Sequence, residues 1–238
     1  MRFDDLAAVY DRHAHPQAEV IRRFVACLPD AGTSPDALEL GAGTGRLTRE
    51  LLAKGYRVRA TDVAPGMIEA GRLRVPGAQW GELDAWSPPP ACCDRLFSAN
   101  VLQWCPDPVA TLARHRAALR PGGRLAHAIF IDPTLAELRE VTGGLIPLRR
   151  RTAADWLDAA RAAGLRVTLS RGVVLRRAYP DALALLRELH GTGAVSGKHV
   201  LGPGRLRAVL REYDRRFPAP GGGILATWAA LLLQAEPA

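Results

Sequence analysis

Glu39-Leu40-Gly41-Ala42-Gly43-Thr44-Gly45 follows a short apolar run at 37–40 and precedes a segment of helical periodicity at 47–54. Glycines at alternate positions let a backbone turn tightly and approach a ligand, and the helix start beyond them offers unpaired N–H groups at the positive end of a dipole. A nucleotide-like cofactor is implied. The dinucleotide fingerprint G-x-G-x-x-G would need glycine at 46, where this chain has Arg46, so the spacing is G-x-G-x-G instead. Asp62 ends a strand-like segment at 56–61. A carboxylate there is placed to accept hydrogen bonds from both hydroxyls of a ribose; capping the next helix is its other use.

The pattern extends outward from this loop. Helical segments at 19–28, 47–54, 67–73 and 108–119 alternate with apolar or extended ones at 37–40, 56–61, 78–83, 94–99 and 125–131, and Pro121-Gly122-Gly123 closes the fourth helix. Strands separated by helix-length segments imply right-handed crossovers and a mainly parallel sheet covered on both faces. The class is doubly wound α/β. Beyond 131 the rhythm changes. A weakly periodic stretch at 134–148 leads to a helix at 153–163 with Gly164 as its C-cap, then an extended run at 166–178. A helical, arginine-bearing insert at 180–217 precedes a last strand at 225–233. The expected organisation is one domain over 1–238, with an N-terminal lid at 1–30, a cofactor core at 37–131 and a substrate-side half at 132–238. Substrate selection is expected in the insert.

Composition narrows the function classes. The 238 residues are 48% hydrophobic and 24% charged, enough for a substantial core. The longest apolar run, at 224–233, is well short of the roughly 20 residues that span a bilayer. No membrane span is expected. Asp4 and Asp5 stand where a signal peptide would place apolar residues, so a cytoplasmic location is expected. Cys27, Cys92, Cys93 and Cys105 form no CxxC pair, which points away from a zinc site or a disulfide framework. The net charge of +8 permits an acidic partner. All but two of the basic residues are arginines spread along the chain, so no nucleic-acid face is expected.

The acid-preceded G-x-G-x-G loop resembles motif I of the S-adenosylmethionine-dependent methyltransferases. That resemblance implies a Rossmann-like class I fold: a mainly parallel seven-stranded sheet, helices on both faces and a helical insert before the last strand. It implies S-adenosyl-L-methionine as cofactor, held by Glu39, Gly41, Gly43, Gly45 and Asp62. Glu82, in Trp80-Gly81-Glu82-Leu83-Asp84, would contact the adenine amino group where the family usually has Asp. Met67 and Trp86 would wall the adenine, although Met67 equally suits a core. Asn100, Gln103 and Trp104, after the fourth strand, put two amides and an aromatic wall at the carboxyl edge of the sheet.

Three further segments resemble the malonyl-acyl-carrier-protein O-methyltransferases of biotin synthesis (BioC type): the stretch from Phe3 through Tyr10-Asp11-Arg12-His13, then Leu102-Gln103-Trp104-Cys105, and Tyr179-Pro180-Asp181 running on to Gly191-Thr192-Gly193-Ala194. Asp4 and His190 depart from that family's usual arginine and lysine. The resemblance implies methylation of the free carboxylate of malonyl-acyl carrier protein, with malonyl-CoA as a second form of the substrate. Such a carboxylate is ionised at pH 7, with a pKa of about 4 or lower, so no general base is needed. The task is in-line positioning and exclusion of water. Arginine holds a carboxylate bidentately, and within Arg149-Arg150-Arg151 the resemblance favours Arg149. Tyr10, with His13, is expected on the lid, and Tyr10, Gln103 and Arg149 make up the expected catalytic set. The rival readings are a methyltransferase for another small carboxylate or hydroxyl, and a non-catalytic scaffold. A nucleic-acid methyltransferase would carry an Asn/Asp-Pro-Pro-Tyr-like motif where this chain has Asn100-Val101-Leu102-Gln103.

Overall fold

The computed structural model describes residues 10–144, 151–194 and 202–238. Seven strands form one sheet among them: β1 (Asp36–Leu40), β2 (Arg57–Asp62), β3 (Gln79–Glu82), β4 (Cys93–Ala99), β5 (Leu119–Phe130), β6 (Leu165–Tyr179) and β7 (Ile224–Pro237). Their order is β3-β2-β1-β4-β5-β7-β6. The first five run parallel, and β7 lies antiparallel between β5 and β6. The doubly wound α/β architecture expected from the rhythm is what forms.

Strand alternation builds two cores. Ala126, Ala128 and Phe130 of β5 join Ala230 and Leu232 of β7 on one face, while Leu125, Ile129, Leu231 and Leu233 point to the other. The first face is covered by α2 (His15–Val25), α3 (Arg46–Ala53), α8 (Ala182–Gly191) and α9 (Pro203–Arg216), through Val20, Phe24, Leu51, Leu189 and Tyr213. The second is covered by α5 (Pro108–Ala118) and α7 (Ala153–Ala162), through Leu112 and Trp156. With both faces covered, Ala37 to Leu40 of β1 and Trp228 to Leu233 of β7 are buried in unbroken runs. Helix starts are set locally. Asp107 caps α5 through the Ala110 N–H at 3.0 Å, Asp181 caps α8 through Ala184 N–H at 2.7 Å, and Thr152 and Asp155 form a capping box on α7.

The remaining helices are α1 (Tyr10–His13), α4 (Pro65–Arg74) and α6 (Ala136–Thr142). Two boundary differences stand out. Helix α2 starts at His15 rather than 19, because Pro16 presets its first turn. Strand β5 starts at Leu119, with the Pro121-Gly122-Gly123 turn carried as an irregularity in its pairing to β4. The insert resolves into α8 and α9; residues 195–201 between them lie outside the described residues. Among the described residues no helix is long and apolar enough to cross a membrane.

Candidate active site

A cavity of about 230 Å³ opens at the carboxyl ends of β1, β2 and β4, where the order of the sheet reverses between β1 and β4. The glycine loop forms its floor. Gly41 has φ +66°, and a Cβ there would lie 2.3 Å from Val101 Cγ2; Gly45 has φ +88° and would meet Val75 at 2.8 Å. Those two glycines serve close packing. Gly43, at φ +55°, has open space where a Cβ would be, so the cavity itself demands that it stay bare. Its N–H donates to Asp62 Oδ2 at 2.9 Å, and the Ala64 N–H donates to Oδ1 at 3.0 Å. Asp62 therefore ties the loop to the end of β2.

Glu39, on β1, is 2% exposed and lines the cavity, with Oε2 lacking any hydrogen-bond partner. Burial, with a smaller push from the Asp62 charge, raises its pKa to about 8. Opposite stands α1. Tyr10 lines the cavity, and burial first, then the Asp11 and Asp62 charges, raise its hydroxyl to about 12. Asp11 accepts from Thr44 Oγ1 at 2.9 Å, from Arg46 at 3.3 Å and from Arg74 at 2.8 Å, which latches α1 across the glycine loop.

A smaller cavity of about 40 Å³ adjoins the first and shares Tyr10, Gln17, Asn100 and Trp104 with it. Phe130, Thr134, Thr192, Ala194 and Trp228 complete it, so β5, β7 and the insert supply its far wall. Asn100 sits at the junction with φ +60°, its Nδ2 donating to the Gln17 carbonyl at 3.4 Å. Gln103 Nε2 donates to the Asn100 carbonyl at 2.6 Å. The buried side-chain oxygens of Gln17, Asn100 and Gln103 have no partners. Two linked chambers, one with an orphaned carboxylate and one with orphaned amides, suit a two-substrate transfer.

The methyltransferase domain family matches residues 38–127. A malonyl-acyl-carrier-protein O-methyltransferase from Hahella chejuensis is 34% identical over 90% of this chain and 81% of its own length. The chain belongs to that family. A biotin biosynthesis bifunctional protein BioCD from Bordetella avium is 35% identical over 90% of this chain and 48% of its own. Among solved structures, the YcgJ protein of Bacillus subtilis superposes with a TM-score of 0.65 at 15% identity, covering 92% of this chain and 99% of that one. A geranyl diphosphate methyltransferase in complex with SAM superposes at 0.59 and 13% identity, covering 93% and 85%. These two speak to the fold. This chain is a S-adenosylmethionine-dependent methyltransferase.

In this methyltransferase the larger cavity brings together Tyr10, Glu39, Gly41, Gly43, Asp62, Met67 and Asn100. Gly45 stands just behind it as the N-cap of α3. Met67 is both wall and core, 2% exposed and packed with Ala64 and Tyr10. Glu82 does not line this cavity. Strand β3 ends at that residue with the side chain exposed and away from the cavity, and the chain turns inward only at Leu83, whose N–H donates to the Asp62 carbonyl. Asp84, Ala85 and Trp86 reach the cavity instead. Gln103 lines only the smaller chamber, and His13 lines neither, packing on Gly191 of α8. Arg149 lies outside the described residues. Its neighbour Arg151 is spent on the carbonyls of Cys105 and Pro106, both at 2.9 Å. Sequence reasoning missed Gln17, and the available signal was a polar residue on the same face of α2 as Val20, Ile21 and Phe24.

Proposed function

We propose that this chain methylates the free carboxylate of malonyl-acyl carrier protein at the expense of S-adenosylmethionine, an early step of biotin (pimeloyl) synthesis, in the cytoplasm. The observation that carries the cofactor assignment is Glu39, a buried carboxylate with an orphaned oxygen facing a cavity. Burial holds that group mostly protonated at neutral pH and a cation beside it would draw it into its ionised form; S-adenosylmethionine brings an ammonium as well as the sulfonium whose methyl carbon is the electrophile.

In this reading Asp62, at the end of β2 and lining the cavity, accepts from the ribose hydroxyls. Gly43 leaves the floor open, and Met67 and Trp86 wall the base. Asp84 takes the place first expected for Glu82. Tyr10, latched down through Asp11, closes the cofactor chamber and excludes water; its raised pKa keeps the hydroxyl a neutral donor at pH 7, not a base. Asn100 and Gln103 line the passage by which the acceptor oxygen enters, and Arg149 anchors the malonyl carboxylate by its planar fork. Because that carboxylate is already ionised, these residues need only align it. Arg176 and Arg177 at the end of β6, with Arg187, Arg205 and Arg207 of the insert, meet the acidic carrier, for which the net charge of +8 provides steering.

The test is incubation of the purified protein with S-adenosylmethionine and malonyl-acyl carrier protein, followed by intact-protein mass spectrometry. Gain of one methyl group on the malonyl arm is expected. A protein that binds S-adenosylmethionine yet leaves malonyl carrier protein unmethylated would redirect the reading to another small carboxylate or hydroxyl.

A further inference from the structure

A line of buried polar side chains runs behind the larger cavity. Ser98 on β4, His127 on β5 and His115 on α5 are each fully buried. Ser98 Oγ lies 2.9 Å from His127 Nδ1, His127 Nε2 lies 3.3 Å from His115 Nδ1, and His115 Nε2 lies 2.7 Å from the Ala85 carbonyl oxygen. Each end of this line borders the cavity. Ser98 precedes Ala99 and Asn100, and Ala85 sits between Asp84 and Trp86, all of them lining residues.

The chemistry of the last link sets the direction of the whole line. A carbonyl oxygen only accepts, so His115 Nε2 carries a hydrogen. A neutral imidazole has one N–H, so His115 Nδ1 accepts and His127 Nε2 donates. His127 Nδ1 then accepts, and the Ser98 hydroxyl donates. Burial, the larger cause for both rings, holds them neutral: His115 is lowered to about 4 and His127 well below its usual value, the latter also by the neighbouring ring. Every polar atom in the line has one role, and the line terminates on the backbone of the segment 83–86 between β3 and β4.

We propose that His115, aligned by His127 and Ser98, is a positioning residue for cofactor binding: it gives the Ala85 carbonyl a buried donor and so sets the 83–86 wall of the cavity. Without that donor the carbonyl is an orphan in the core, and the wall relaxes to find another partner. The inference rests on the reading of the larger cavity as the S-adenosylmethionine site.

The experiment measures S-adenosylmethionine affinity by calorimetry, and KM for malonyl-acyl carrier protein, in wild type and three variants. His115→Met should raise the cofactor Kd about tenfold while KM for the malonyl substrate stays put, the loss of one buried hydrogen bond. His115→Gln, whose amide N–H reaches the Nε2 position, should restore most of the affinity. Ser98→Ala should raise Kd by a smaller factor, roughly two to three. A folded His115→Met whose Kd is unchanged, or whose two constants rise together, overturns the proposal. Should His115→Met fail to fold, Ser98→Ala and histidine nitrogen NMR of the wild type decide: both rings should be neutral Nε2–H tautomers, and a proton on either Nδ1 overturns the alignment. Wild type that does not bind S-adenosylmethionine sinks the cavity reading and this inference with it, whereas normal wild-type binding with an indifferent His115→Met sinks the inference alone.

Discussion

Two walls of the same cavity treat their buried polar groups in opposite ways. On the β1–β2 side Glu39 is buried with an oxygen left unpaired. On the β4–β5–α5 side, Ser98, His127 and His115 are as deeply buried, yet each is bonded to the next and the last to a backbone carbonyl. An unpaired buried polar group is tolerated where a ligand completes it; a paired line is what holds a wall still. On the reading proposed above, the contrast separates groups that meet the ligand from groups that shape its seat.

The largest effect is expected at the bare floor. Gly43→Val puts a β-branched side chain at φ +55° into open cavity space, and S-adenosylmethionine affinity should fall by about 100-fold or more. Calorimetry reads it; binding within a few-fold of wild type would remove the loop from the site. Asp62→Ala comes next. It loses charge-assisted bonds to ligand and the tie to Gly43, and should cost about 1–3 kcal/mol of binding. An unaffected Kd would make Asp62 a loop brace alone.

The two walls also predict opposite pH flanks. Glu39 has its folded pKa raised from 4.5 to about 8, so its contribution to stability is complete below about 4.5 and is lost as pH rises towards 8. His115 is lowered from 6.5 to about 4, so its contribution is complete above 6.5 and is lost as pH falls towards 4. Thermal unfolding of the free protein across pH 4–9 should be flattened on the basic side by Glu39→Gln and on the acid side by His115→Gln. A cation seated beside Glu39 favours its ionised form. Cofactor affinity should therefore rise with pH up to about 8, with proton release that calorimetry in buffers of different ionisation enthalpy detects and that Glu39→Gln abolishes. Pure wild-type behaviour in that variant would place the ammonium elsewhere.

The smallest effect sharpens the boundary of the site. Glu82→Ala should leave cofactor affinity within roughly 0.5 kcal/mol, as for an ordinary surface position, whereas Asp84→Ala should weaken it several-fold. Equal losses from both would return Glu82 to the site.

What could be read from residues alone was whatever depends on neighbours in the chain. The glycine spacing before a helix, the acid ending β2 and the strand–helix rhythm are local, because turn geometry and periodicity are set within a few residues. They were enough to anticipate the α/β class, the loop from Glu39 to Gly45 and Asp62, and the quoted segments near both ends pointed to the family. Tertiary structure decided which side chains share a space. Glu82 and Asp84 are two residues apart and both exposed, and only the turn at Leu83 brings the second to the cavity and leaves the first off it. Gln17 meets Asn100 across more than eighty residues of chain, and Ser98, His127 and His115 align only when β4, β5 and α5 are packed. Such proximities come from how strands register and helices seat on them, and no local pattern carries that information.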